Sequence, residues 1–172
     1  VGNKLNGTEN THFGYIFGAT SYSNNLSYVP SSLKTVVITG GTSIGEDAFY
    51  SCPIEKATIP AIACSSVKNN SLKEVIITSG DSIGSSAFYD CSSLESVVIG
   101  DSVTSIGDGA FSHCSSLTSI EIGDSVTSIG ERAFYNCSSL TNVNYKGTID
   151  KWAQIEFEGY LSNPLYYAKN LY

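Results

Sequence analysis

Residues 83–94 read Ile-Gly-Ser-Ser-Ala-Phe-Tyr-Asp-Cys-Ser-Ser-Leu, residues 106–117 read Ile-Gly-Asp-Gly-Ala-Phe-Ser-His-Cys-Ser-Ser-Leu, and residues 129–140 read Ile-Gly-Glu-Arg-Ala-Phe-Tyr-Asn-Cys-Ser-Ser-Leu. Cys91, Cys114 and Cys137 therefore recur every 23 residues, each in the same phrase. Self-similarity at such a period means stacked units, none of which can bury its apolar face alone. A repeat solenoid follows, and with it an extended ridged surface rather than one enclosed pocket.

Before each phrase stands Leu-x-x-Val/Ile-x-Ile, as Leu33, Val36, Ile38; Leu72, Val75, Ile77; Leu94, Val97, Ile99; and Leu117, Ile120, Ile122. The alternation of its last two apolar residues predicts a short strand with one buried face. After a turn at Gly100-Asp101 or Gly123-Asp124, Val103-x-x-Ile106 and Val126-x-x-Ile129 predict a second short extended segment. The Gly-x-x-Ala-Phe-x-x-Cys stretch is expected to form one helical turn with Ala and Phe inward. Units 33–52 and 72–91 are one residue shorter, and Ile54, Ala57 and Ile59 still fit a strand. Residues 53–71 form an irregular coil, and 60–71 have no predicted outer path.

The unit Leu-x-x-Ile-x-Ile-x-x-x-Val-x-x-Ile-Gly-x-x-Ala-Phe-x-x-Cys at 94–114 and 117–137 resembles the BspA-like, or Treponema-type, leucine-rich repeats. The resemblance implies a leucine-rich-repeat-like right-handed coil of short parallel strands and short helical turns. It implies repeats over 33–145, about five or six coils, with non-repeat caps at 1–32 and 146–172. The first cap holds Phe13, Tyr15, Phe17, Tyr22 and Tyr28; the second holds Ile149, Trp152 and Ile155 at helical spacing behind Thr148 as N-cap. A turn at Asn163-Pro164 and a closing edge strand are expected after it. The resemblance further implies a secreted or surface-displayed adhesin of a host-associated microbe that engages extracellular-matrix or cell-surface protein, and it brings no catalytic residues.

Composition narrows the partners. Net charge is −7 and no basic run occurs, which argues against nucleic acid and anionic lipid. Charged residues make up 15%, against about 25% in ordinary domains, so Ser, Thr, Asn and Tyr carry the surface polarity. No apolar run is long enough to span a membrane. The chain begins with Val and holds no Met, and reads as a fragment of a longer protein.

Catalysis and cofactors find no foothold. Cys52 shares the column of Cys91, Cys114 and Cys137; stacked equivalents point the same way, so buried free thiols are expected rather than disulfides. No Cys-x-x-Cys gathers metal ligands. His113, between Ser112 and Ser115, falls in the polar column of Ser51, Asp90 and Asn136 and reads as a surface substitution; His12 stands apart. Glu95 and Glu121 occupy different strand positions and make no carboxylate pair. Gly45, Gly84, Gly107 and Gly130 open turns and form no phosphate loop. Asn6, Asn25, Asn69 and Asn136 stand in glycosylation sequons.

Two faces remain as candidate binding surfaces. The outward strand positions are Val37, Thr58, Ile76, Val98, Glu121 and Asn144, with Lys56, Glu74 and Glu95 beside them. Val37, Ile76 and Val98 are apolar where solvent is expected, and an apolar patch rimmed by charge marks an interface. The second face is the turn column Tyr50, Tyr89 and Tyr135, whose rings could anchor a protein or meet sugar rings. A protein ligand is expected. A structural spacer and a carbohydrate-binding accessory module are the alternatives.

Overall fold

The computed structural model describes residues 25–39, 48–159, 161–168 and 170–172. Phe13, Tyr15, Phe17 and Tyr22 of the expected N-terminal cap lie outside the described residues, as do His12, Asn6, Ile44 and Gly45. Described there is one helical turn, α1 (Asn25–Tyr28), followed by buried Val29.

Among the described residues eleven short strands follow, numbered along the chain. One sheet holds β1 (Thr35–Val37), β2 (Lys56–Ile59), β3 (Glu74–Ile77), β5 (Ser96–Ile99), β7 (Ser119–Ile122), β9 (Asn142–Tyr145) and β11 (Asn170–Leu171), in that order. The other holds β4 (Ser82–Ile83), β6 (Ser105–Ile106), β8 (Ser128–Ile129) and β10 (Glu156–Phe157). Every pair is parallel. The chain thus winds once from sheet to sheet per repeat and stacks each coil on the last, which is the leucine-rich-repeat solenoid. Inside run columns of equivalent residues: Leu72, Leu94, Leu117 and Leu140; Ile83, Ile106 and Ile129; and Phe88, Phe111 and Phe134, all fully or almost fully buried. The phenylalanines stack, with Phe88 and Phe111 centroids 5.3 Å apart and Phe111 and Phe134 5.5 Å apart.

The Gly-x-x-Ala-Phe-x-x-Cys stretch does not run on as a helix. It closes separate i→i+3 turns, such as Tyr89 N–H to Ser86 C=O at 3.0 Å and Cys91 N–H to Phe88 C=O at 3.1 Å. Two left-handed residues per coil break the run: Ser86, Gly109 and Arg132 at φ of 56°, 58° and 55°, and Asp90, His113 and Asn136 at 61°, 63° and 60°. In exchange, the turn amides point to the next coil. Phe88 N–H reaches Ala110 C=O at 2.7 Å and Asp90 N–H reaches Ser112 C=O at 2.9 Å. Left-handed backbone costs a non-glycine residue roughly 1–2 kcal/mol. Arg132→Gly is therefore expected to stabilise the fold by about 0.5–1 kcal/mol, and Gly109→Ala to destabilise it by about 1 kcal/mol. A Cβ on Gly109 meets nothing nearer than 3.7 Å, so chemical denaturation of that pair isolates the backbone term.

The glycines of the Ile-Gly phrase open the turns as expected: the Gly84, Gly107 and Gly130 carbonyls accept from Ala87, Ala110 and Ala133 N–H at 3.3, 3.2 and 3.2 Å. A Cβ on Gly107 would sit 2.7 Å from Ser85 N, and one on Gly130 would sit 2.6 Å from Asp108 N. Gly107 and Gly130 must also be glycine because the neighbouring coil's backbone passes over them.

Residues 60–71, left open by the sequence, carry a 3-10 helix over Ala61–Val67 that buries Ala61, Ala63, Cys64 and Val67. It replaces the second strand of that coil, so the smaller sheet ends at β4. Asn69 is buried there. Its Nδ2 donates to Val67 C=O and its Oδ1 accepts from Ser71 N–H, both at 2.8 Å, so the side chain is committed to the turn.

The C-terminal segment extends the solenoid: β10 and β11 add a strand to each sheet. Between them and β9 is inserted α2 (Ile149–Trp152), with Thr148 Oγ1 accepting from Lys151 N–H as expected. The helix is one turn long. Trp152 and Ile155 are buried against the stack, whereas Ile149, at the same helical spacing, is 67% exposed. Asn163 caps a 3-10 turn at Pro164–Tyr166, and Tyr167 Oη accepts from Asn136 N–H at 2.8 Å, taking the place of the next coil's carbonyl.

All five cysteines are buried thiols. Cys114 Sγ donates to Phe88 C=O at 3.2 Å and Cys137 Sγ to Phe111 C=O at 3.1 Å. Burial pushes Cys91 up to about 11 and Cys64 and Cys137 up to about 12. At pH 8 a thiol reagent should modify none of the five in the folded chain and all of them in denaturant. Rapid labelling of a folded cysteine would refute the ladder.

Candidate binding surfaces

Strand register places the first candidate set in one row. Val37 lies opposite Thr58, Thr58 opposite Ile76, Ile76 opposite Val98, Val98 opposite Glu121, and Glu121 opposite Asn144. Val37 is 60% exposed, Asn144 is exposed, and the four between them are half-buried. Ile76 and Val98 form an apolar pair at the centre. The row continues into Tyr172, whose backbone bonds to Val143 and Tyr145 and whose side chain is exposed. Sequence reading missed Tyr172 because the last strand lies outside the repeat.

The charges beside this row are mostly neutralised across coils. Lys34 and Lys73 flank Glu55 at 2.9 and 3.2 Å, and hold its carboxyl below the usual value. Lys56 pairs with Glu74 at 2.8 Å, which raises the lysine's pKa. Glu121 meets Lys146 at 2.9 Å and raises that lysine too. Glu95 makes no ion pair among the described residues. Farther along, Thr118 Oγ1 donates to Glu95 C=O at 3.0 Å and Thr141 Oγ1 to Thr118 C=O at 3.2 Å, so these threonines brace the edge of the sheet.

On the turn face, Tyr50, Tyr89 and Tyr135 are exposed by 43%, 42% and 39%. They belong to the coils of β1, β3 and β7, so they are not adjacent rungs. Phe49 N–H bonds to Ser66 C=O as Phe88 N–H bonds to Ala110 C=O, which aligns Lys68 and Ser112 with the tyrosines. The row therefore reads Tyr50, Lys68, Tyr89, Ser112, Tyr135. Lys68 Nζ lies 5.3 Å above the Tyr89 ring. Ser112 is buried and leaves a cleft of about 350 Å³ between Tyr89 and Tyr135. A second cleft, of about 560 Å³, lies between Tyr50 and Tyr89.

His113 is not the plain surface substitution expected. It is half-buried between two tyrosines, 5.4 Å from the Tyr89 ring and 5.4 Å from Tyr135, the latter edge-on. Its Nδ1 lies 3.2 Å from Asn136 Nδ2. The left-handed backbone accounts for its column: Asp, Asn and His tolerate that conformation better than most residues.

Among the described residues no group of His, Cys, Asp and Glu is placed to hold a metal ion. No described helix is long and apolar enough to cross a membrane.

Comparison with known proteins agrees with this architecture. The family described as BspA type leucine rich repeat region matches residues 18–76 and 61–164, in 6 copies. A leucine-rich cell surface protein from Faecalibacterium prausnitzii A2-165 is 32% identical, with a TM-score of 0.60 over 74% of this chain and 36% of its own. A leucine-rich repeat protein from Bacteroides ovatus ATCC 8483 is 34% identical, with a TM-score of 0.56 over 66% of this chain and 31% of its own. The chain thus spans about a third of the length of these two proteins. No curated protein matches it. With repeats matched along most of its length and the coils stacked as parallel strands, the chain belongs to the BspA-type leucine-rich repeat family.

Proposed function

We propose that this chain is a non-enzymatic protein-binding module of a secreted or surface-displayed protein, an adhesin for host matrix or cell-surface protein, and that the strand face does the binding. The observation that carries this reading is the row from Val37 to Asn144, where Ile76 and Val98 lie side by side between ion-paired neighbours. Apolar anchors ringed by polar groups that exclude water are the usual energetic centre of an interface. Membership of a repeat family that builds extended binding surfaces supports it, as does the similar Faecalibacterium protein, described as a cell surface protein.

The test is surface plasmon resonance of the purified chain against a panel of host extracellular-matrix proteins. Ile76→Thr/Val98→Asn runs beside it, using residue types the same row already accepts at Thr58 and Asn144. A matrix protein should bind, and the variant should weaken it at least about tenfold. Unchanged binding by a folded variant would remove the site from the strand face. Absence of any binder would favour a spacer, a reading supported by how many charges on this face are satisfied within it.

A further inference from the structure

In the turns of three successive coils, one column reads Ser86, Gly109, Arg132 and another reads Tyr89, Ser112, Tyr135. The middle coil carries the smaller residue in both columns, and the cleft of about 350 Å³ opens over it. A Cβ on Gly109 would meet nothing nearer than Ser86 Oγ at 3.7 Å and Ser112 Cβ at 3.8 Å, so the room lies above that glycine. His113 occupies the space between the two tyrosine rings. A ligand therefore enters beside the histidine rather than between the rings.

The notch holds an unpartnered hydroxyl. Ser112 is 4% exposed, lines the cleft, and makes no side-chain hydrogen bond among the described residues. The other buried serines differ: Ser66 and Ser162 donate to Ala63 C=O and Gly159 C=O. Buried polar groups are seldom left without a partner, so the Ser112 hydroxyl points to a ligand that brings one.

Charge decides the class of that ligand. Glu131 and Arg132 pair with each other at 3.4 Å, and Asp108 Oδ1 accepts from Glu131 N–H at 2.9 Å, which holds the Asp108 carboxylate in place. The cleft thus presents carboxylate acceptors, a guanidinium and two serine hydroxyls together, a mixture that favours neither an anion nor a cation. Exposed Tyr89 and Tyr135 stand beside them. A pyranose ring answers each feature: its C–H face packs on an aromatic ring, and its vicinal hydroxyls both donate and accept. A few polar groups against an aromatic wall compose the usual small-ligand site, and this cleft falls at the lower end of the roughly 300–1,000 Å³ such sites occupy.

We propose that the notch over Gly109 and Ser112 binds one uncharged sugar ring of a glycan, with the Ser112 hydroxyl and the Asp108 carboxylate bonding its hydroxyls and a wall tyrosine packing on its C–H face. This site lies on the turns, not on the strand face, and stands or falls separately from the adhesin reading.

The experiment is an amide chemical-shift titration of the whole chain with the methyl glycosides of glucose, galactose, mannose and N-acetylglucosamine, and with inorganic phosphate as a charged probe. At least one glycoside should shift the amides of Ser86, Gly109, Ser112 and Arg132 saturably at millimolar concentration, and phosphate should not. Ser112→Ala should weaken binding by about threefold to tenfold while the melting temperature holds or rises, because it deletes a hydroxyl that the fold does not bond. A serine that only braced the turn would lower the melting temperature and leave the affinity alone. Asp108→Asn keeps an oxygen for Glu131 N–H and should weaken binding by about tenfold or more. Gly109→Arg/Ser112→Tyr/His113→Asn copies Arg132, Tyr135 and Asn136 of the next coil into the notch, and should abolish binding while circular dichroism shows an intact fold. The proposal is overturned if no glycoside shifts these amides, if phosphate binds there instead, if the shifts gather on β3 and β5, or if the filled notch still binds.

Discussion

Gly123→Ala is expected to destabilise the fold by about 3 kcal/mol or more, lowering the thermal midpoint by roughly 6–12 °C, while Gly84→Ala should cost nothing. The contrast comes from what lies beneath each residue. A Cβ on Gly123 would sit 2.7 Å from Gly100 O and 2.9 Å from the Asp101 Cα. Both are backbone atoms of a stacked coil, so no side chain can swing aside, and the two coils would have to separate. Their separation strains the parallel bonds on either side of the turn, such as Thr118 N–H to Glu95 C=O at 2.9 Å and Gly130 N–H to Ile106 C=O at 2.8 Å. Gly84 follows β4, the edge of the smaller sheet, and a Cβ there meets nothing within 4 Å. Its φ is not in the left-handed region, so alanine would add no backbone strain and could gain up to about 1 kcal/mol by restricting the unfolded chain. Thermal melts of the two variants measure both effects. Equal shifts would show that coil spacing is not set by these glycines.

Both positions carry glycine after an Ile that ends a strand, Gly123 after β7 of the larger sheet and Gly84 after β4 of the smaller one, and that marks how far the sequence can be read. The columns of Leu, Ile, Phe and Cys were legible because burial imposes a residue type at fixed spacing, and each column is indeed inside. Which glycine is crowded was not legible, since crowding depends on the neighbouring coil, and the coil beside β4 departs from the repeat. The same irregular coil hid Lys68. Only the hydrogen bond from Phe49 to Ser66 aligns it with the tyrosines. His113 was visible as a substitution, but its place between Tyr89 and Tyr135 follows from Ser112 being small on the rung between them. At the C-terminus the closing edge strand expected after Asn163-Pro164 is β11, while β10, which also prolongs the smaller sheet, was not foreseen. The inserted α2 breaks the spacing without breaking the stack.

Phe111→Ala should cost about 4 kcal/mol, the range expected for emptying a fully buried ring site, and should exceed Phe134→Ala by about 1 kcal/mol. Phe111 stacks on Phe88 at one face and Phe134 at the other, nearly parallel to both, at 5° and 8°. Phe134 has one such stacked ring among the described residues, and each aromatic pair contributes about 0.5–1.5 kcal/mol beyond its burial. The consequence reaches past a single cavity. In a solenoid each coil contacts only its neighbours, so stability is a sum of coil and interface contributions. Truncating Phe111 weakens two consecutive interfaces at the middle of the stack, which decouples the coils before it from those after it. The expected signature is a broader urea transition with a lower slope, together with hydrogen exchange that differs between residues 72–94 and 117–145. Phe111→Leu, which refills most of the volume but stacks on neither ring, should recover much of the loss and restore a single transition. If Phe134→Ala proved as costly as Phe111→Ala, or if the Phe111→Ala variant unfolded in one sharp step, the phenylalanine column would be filler between coils already held by their backbone bonds, and cooperativity would have to come from the strand and turn ladders alone.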